Sequence, residues 1–274
     1  MVNGERRAAA AAFLAVITVT AVAVLGFLGF LVVTSFGTGD TGPGTEPAAG
    51  GSTPAAGAQP KPGEVSQEAR EDELAAAPML TLPQSASQPQ PVVVATAGPP
   101  IGVPAPAVPV TPGGPPFATG FPHTPEGALG QLAAIDEAAM STIDPNRVRE
   151  VYAAAAVAGA VDVADWTPMV GVKDIIKHLG GADAAASAQV TYRVVMGQIK
   201  GTVGPDFVVA CVLGHGVITA ANVGRAGVGD CQRMVWVNGQ WRIGPRAQPA
   251  PAPSAWPGSA DSVRAGWRVV SRES

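Results

Sequence analysis

Aromatic residues are scarce in this chain, at 5% of the sequence against 47% hydrophobic residues overall, so most of its apolar character comes from small aliphatic side chains. Charged residues are also few, at 14%, and Lys and Arg nowhere form the cluster that a nucleic-acid footprint requires. No Gly-x-x-x-x-Gly-Lys-Ser/Thr string occurs, which excludes the usual phosphate loop of a transport ATPase. Cysteine and histidine are too sparse and too scattered for Cys-x-x-Cys or His-x-x-x-His spacing, so the sequence offers no metal site. The chain does have proline and glycine in excess, 27 and 34 residues, and their uneven placement divides it into unlike segments rather than one large multidomain enzyme.

Residues 8–35 are an uncharged hydrophobic run preceded by Glu5-Arg6-Arg7. Its length suits a helix crossing a hydrocarbon core of about 30 Å. The basic pair before it, with no Lys or Arg again until Lys61, puts residues 1–7 in the cytoplasm and the remainder outside. A cleaved signal peptide is the competing reading, but its apolar core would be about half as long. This segment therefore predicts a signal anchor and a single-pass cell-membrane protein. Residues 36–120 hold 17 of the 27 prolines and show no sustained periodicity, which predicts a disordered Pro/Ala/Gly-rich linker. Within it, Val65 to Ala77 alone has helical composition.

Residues 121–274 read as an extracytoplasmic α+β domain. Thr124-Pro125-Glu126 and Asp144-Pro145 each supply a helix cap followed by proline at the first helical position. Leu129, Leu132, Ile135 and Ala139 form one apolar stripe, and Val148, Val151, Tyr152 and Ala155 a second. A short third helix is expected around Val172, Ile175, Ile176 and Leu179, bounded by Gly159, Gly171 and Gly180-Gly181. Strands come next: an alternating one through Val190, Tyr192, Val194 and Met196, then a continuous apolar one from Phe207 to Leu213 suited to a doubly covered position. A glycine-rich stretch from Gly216 to Gly229 separates these from a hairpin turned at Asn238-Gly239, where Trp236 and Trp241 face each other. Three helices on a curved antiparallel sheet of about four strands make a cone-like domain, onto which the tail carrying Trp256 and Trp267 folds back.

Cys211 and Cys231 lie on neighbouring expected strands, which in an oxidising compartment reads as one disulfide, with two free buried thiols as the alternative. Asp230, Arg233 and Arg242 crowd the hairpin base and are expected to form a partly buried, structural ion pair. His123, His178 and His215 fall on unrelated segments, the first two solvated and the third in a bend. No catalytic residue, cofactor site or metal site emerges, and a non-enzymatic protein is expected.

The strings Gly120 to Ala128, Lys200-Gly201, Asp206 to Val209, Asp230 to Trp236, Trp241 to Pro245 and Ser254 to Gly258 resemble a family of uncharacterised actinobacterial bitopic membrane proteins associated with conjugative elements. In layout the chain also resembles the scaffold subunits of type IV secretion systems, whose extracytoplasmic domain has the nuclear-transport-factor-2-like cone fold. The resemblance implies a membrane-anchored structural or accessory component of a DNA-transfer apparatus, working through contacts with other secretion-apparatus proteins or itself and with no direct nucleic-acid contact. The second reading is a tethered binding module for a cell-wall or lipid ligand, using Trp236, Trp241, Trp256 and Trp267.

Overall fold

The computed structural model describes residues 65–93 and 97–272. Along the chain these form α1 (Gln67–Ala76), a single 3-10 turn (Gln84–Ser87), β1 (Ile101–Val103), α2 (Pro125–Met140), α3 (Pro145–Ala155), α4 (Thr167–His178), α5 (Ala182–Ala186), β2 (Gln189–Thr202), β3 (Phe207–Thr219), β4 (Val223–Val237), β5 (Gln240–Ile243), α6 (Ala260–Arg264) and β6 (Arg268–Arg272). The strands make one six-stranded sheet in the order β1-β6-β2-β3-β4-β5. Only the β1–β6 pair is parallel. The result is a curved sheet with helices packed in its concavity, a half-barrel of nuclear-transport-factor-2-like shape. Register shifts in β2 at Val194/Met196 and Ile199/Gly201 mark irregularities of the kind that bend a strand.

The helix starts follow from local chemistry. Thr124 Oγ1 accepts from Gly127 N at 3.0 Å and Asp144 Oδ1 from Asn146 N at 2.9 Å, each satisfying an amide that the first turn leaves unpaired. The α2 stripe, Leu129, Leu132, Ile135 and Ala139, is wholly buried against the inner face of the sheet, where Val208, Ala210, Val212 and Met234 point. The third helix begins before Gly171. Gly171 lies inside α4 and faces Met140, while Trp166 just before the helix is fully buried and anchors its start.

Two expectations about the chain outside this domain are corrected. Residues 65–93 and 97–120, read from composition as disordered linker, are built into the fold. They contribute α1, the edge strand β1 and a bridge between Val108 and Thr119, and Gln131 of α2 donates to the Ala118 carbonyl at 3.0 Å. Such a segment cannot bury enough apolar surface by itself, and here it borrows the sheet's. The expected membrane-spanning helix is also withdrawn. No helix among the described residues is long and apolar enough to cross a membrane, and the 8–35 run lies outside them. The signal anchor, the single-pass localisation and the membrane-embedded partnership depended on that helix and are withdrawn with it, and the expected cytoplasmic tail at 1–7 lies outside the described residues.

The glycine-rich stretch, expected to separate the strands from the hairpin, closes β3, turns at 220–222 and opens β4, and β3 and β4 pair in register from Phe207↔Val235 to Thr219↔Val223. At two positions on these strands a glycine leaves space that another group fills. A Cβ on Gly214 would lie 2.0 Å from Tyr192 Cζ, and one on Gly227 would lie 1.8 Å from the Ala255 carbonyl oxygen. The expected four strands become six because β1 and β6 extend the sheet on the β2 side.

Replacing Gly214 with Ala must displace a buried ring and is expected to cost about 1–3 kcal/mol by overpacking. Gly216→Ala, whose Cβ would meet only ordinary contacts at 3.7 Å or more, should be near neutral. Urea unfolding of the two variants followed by tryptophan fluorescence checks the difference, and equal midpoints would contradict it.

Candidate functional site

The structure disperses the residues that the sequence set apart. Cys211 and Cys231 stand directly opposite each other on β3 and β4 and are joined as a disulfide on the outer face of the sheet, the side away from the helices. Asn238 and Gly239 both have positive φ, 53° and 78°, and turn the hairpin so that Trp236 pairs with Trp241 at a ring separation of 5.3 Å. The ion pair of Asp230, Arg233 and Arg242 does not form. Asp230 and Arg233 are three residues apart on one strand and so point to opposite faces. Arg233 instead meets Asp72 at 3.0 Å and Glu71 at 3.9 Å, both on α1. Arg242 donates to the Ala155 and Ala156 carbonyls at 3.1 and 3.2 Å.

The tryptophans do not assemble into a ligand platform. Trp241 and Trp267 are core residues, their indole N–H groups donating to the Pro122 and Pro253 carbonyls at 2.9 and 3.0 Å. Trp236 is covered by His123, stacked at 4.3 Å with the rings 9° from parallel, and His123 Nε2 lies 2.8 Å from the Asp206 carboxylate. His123 is at the surface as expected, 36% exposed, and it also acts as a clasp that fastens the start of the domain to its hairpin. His215 is in β3 rather than in a bend, edge-on to Trp256 at 4.9 Å.

A cluster that the sequence reading missed lies inside the cone. Asp136 of α2 and Asp230 of β4 are 1% and 4% exposed, and Tyr192 of β2 is 4% exposed beside them. Neither carboxylate oxygen of Asp136 has a hydrogen-bond partner among the described residues. Burial, reinforced by the Asp230 and Glu137 charges, pushes the Asp136 carboxyl well above the usual carboxylate range. Asp230 is pushed up to about 6 by burial, offset by hydrogen bonds from Gln232 and Thr167. Burial and then the Asp136 and Asp230 charges hold the Tyr192 phenol in its protonated form well above its ordinary range. Like charges so placed cannot both ionise cheaply, so the pair keeps at least one proton. The signal was available: Asp136 falls within the apolar stripe of α2, between Leu132 and Ala139.

A surface hollow of about 350 Å³ opens elsewhere, and none of Asp136, Tyr192 or Asp230 lines it. One side is the face of α2 carrying Gly130, Ala134 and Ala138; the other is the 103–118 segment, with Val103, Pro106 and Phe117. At one end Arg272 of β6 pairs with Glu137 at 2.5 Å, and Glu137 Oε1 also accepts from Val194 N at 2.9 Å. The hollow is mostly apolar, open to solvent and fixed at its charged end. Pro104 and Pro106 on its rim have no amide hydrogen, so an occupant would be held there by side-chain contact rather than by a strand ladder.

The interior acids set the pH response. Both have folded-state pKa values above their unfolded ones, so their contribution is fully present below about pH 4 and is lost as pH rises through the folded values, about 6 for Asp230. Asp230→Asn is expected to flatten the fall in stability between about pH 4 and 8, by on the order of 3 kcal/mol at the alkaline end. Denaturation midpoints of the variant and the unsubstituted chain across that range measure it. A larger gain at the acidic end would reverse the sign and refute the assignment.

No family model, no curated protein and no solved structure matches this chain.

Proposed function

We propose that this chain is a non-enzymatic protein-interaction module, and that the apolar hollow between α2 and the 103–118 segment receives a short extended apolar segment of a partner protein. The observation that carries this reading is the contrast between the two concavities. The cone interior, where acid and phenol groups meet, is packed with buried side chains from both layers. The outer hollow is open, lined by small residues on one side and prolines on the other, and holds about 350 Å³. Val110 in its lining is 58% exposed, and Val108, two residues earlier and outside the lining, is 46% exposed and extends the apolar surface.

The motif resemblance to actinobacterial proteins associated with conjugative elements supports the same reading, because the scaffold subunits of similar shape act through contacts between domains and not through catalysis. The anchored transfer-apparatus role is not part of this proposal. The hollow would be read by side-chain fit, and Glu137 with Arg272 would set the polarity of one end.

Ala134 and Ala138 lie one turn apart on the hollow's α2 side. A photo-crosslinking residue at position 138 is expected to capture one protein partner in the native host, whereas the same group at exposed Arg149 on α3 captures none. Adding Ala134→Trp to fill the hollow should reduce that capture by at least about tenfold, equivalent to about 1.4 kcal/mol. Equal capture from both positions, or turnover of a substrate by the purified protein, would overturn the proposal.

A further inference from the structure

The outer face of the sheet is as apolar as the inner one. Phe207, Val209, Cys211, Leu213, Cys231 and Trp267 form a continuous buried layer there. Three cations stand in or around this layer: Lys200 at the end of β2, Arg233 on β4 and Arg246 after β5. Arg233 is the unusual one. It is 4% exposed, its guanidinium lies 5.1 Å from the Phe207 ring centroid, and among the described residues its charge is met only from α1.

Helix α1 fits this arrangement group by group. Asp72 and Glu71 meet Arg233, and Glu68 and Asp72 meet Arg246. Lys200 Nζ donates to the carbonyls of Ala75 and Ala77 at the helix end, and the Ala75 carbonyl also accepts from Ala250 N at 2.9 Å. Leu74 rests over Gly201, where a Cβ would come within 2.7 Å of it. Yet Ala75 is the one residue of α1 that is fully buried. Arg233 and Glu71 are enclosed, at 4% and 16% exposure, but the Arg246 pairs are open to water: Arg246 is 40% exposed, Glu68 73% and Asp72 46%. Ion pairs of that kind contribute little and are screened by salt. The helix is therefore matched to its seat in charge but weakly held by burial.

We propose that this basic-rimmed outer face is a docking surface for an acidic amphipathic helix of a protein partner, and that α1 occupies it in cis until such a helix competes for Lys200, Arg233 and Arg246. The recognised pattern is the one α1 displays: acids at Glu68, Glu71 and Asp72, and apolar contacts one turn on at Leu74 and Ala75. The surface is distinct from the hollow beside α2, so the two proposals stand or fall separately.

The test uses the full chain with a fluorescent peptide spanning residues 65–79 as the probe. Glu68→Lys/Asp72→Lys, which removes the cis charges, should bind the peptide at least about tenfold more tightly than the unsubstituted chain, because it no longer competes with itself. Adding Arg246→Glu to that variant should abolish the gain, a peptide with the same residues scrambled should not bind, and salt near 0.5 M should weaken binding. Hydrogen exchange on the unsubstituted chain gives an independent readout should the variant fold poorly: amides of α1 are expected to lose protection with excess peptide while those of β3 do not. Unchanged protection of α1 at peptide concentrations that saturate the variant, or tight binding unaffected by Arg246→Glu, would make the helix a fixed strap and overturn the proposal.

Discussion

The fold depends on a sheet whose central strand is apolar on both faces. From Phe207 to Leu213 every residue of β3 is buried, with alternate side chains turned toward the helices and toward the opposite side. A sheet of this kind cannot leave either face in water, so two covers are required. Helices α2, α3 and α4 supply the inner cover with long apolar stripes. The outer cover is assembled from pieces with little hydrophobicity of their own: the segment around α1 with Leu74, Ala75, Met79 and Leu82, and the tail with Ala252, Ala255 and Trp267. Met79 sits directly on the disulfide, its sulfur 3.5 Å from Cys231 Sγ.

This division explains what the sequence did and did not disclose. The caps at Thr124 and Asp144 and the Asn238-Gly239 turn are local: a few adjacent residues set their own backbone geometry, so reading them needs no knowledge of the fold. The order of residues 65–93 and 97–120 is borrowed. Their composition lacks the apolar content for a core, and they fold because the sheet's outer face and edge already offer one. The strand character of the glycine-rich stretch was hidden for a related reason, since Gly214 and Gly227 are accounted for only once the Tyr192 ring and the Ala255 carbonyl are seen to occupy the places where side chains would stand.

The candidate sites divide in the same way. Strand periodicity alone separates Asp230 from Arg233, so the ion pair inferred from their closeness in sequence was excluded by parity. The partners that Arg233 takes are 161 and 162 positions away on α1, which no local pattern reveals. Asp136 was within reach of pattern reading, as an acid set into an apolar helical stripe. What the sequence could not supply was its surroundings: burial raises its pKa most, and the charge of Asp230, arriving from β4, adds to that rise.

Buried charge in this domain is accommodated in three ways, and the differences bear on function. Asp136 holds its proton, having no hydrogen-bond partner to stabilise the anion. Asp230 is stabilised by Gln232 and Thr167, on β4 and at the start of α4, which are parts of the permanent core. Arg233 is met by Glu71 and Asp72 of a helix whose remaining pairs, to Arg246, are exposed. If that helix leaves, an uncompensated cation remains in an apolar surface, a state far costlier than the exposed pairs that were broken. The outer face therefore has a strong requirement for an acidic cover but only a weak hold on any particular one, which is the condition under which one acidic helix can replace another.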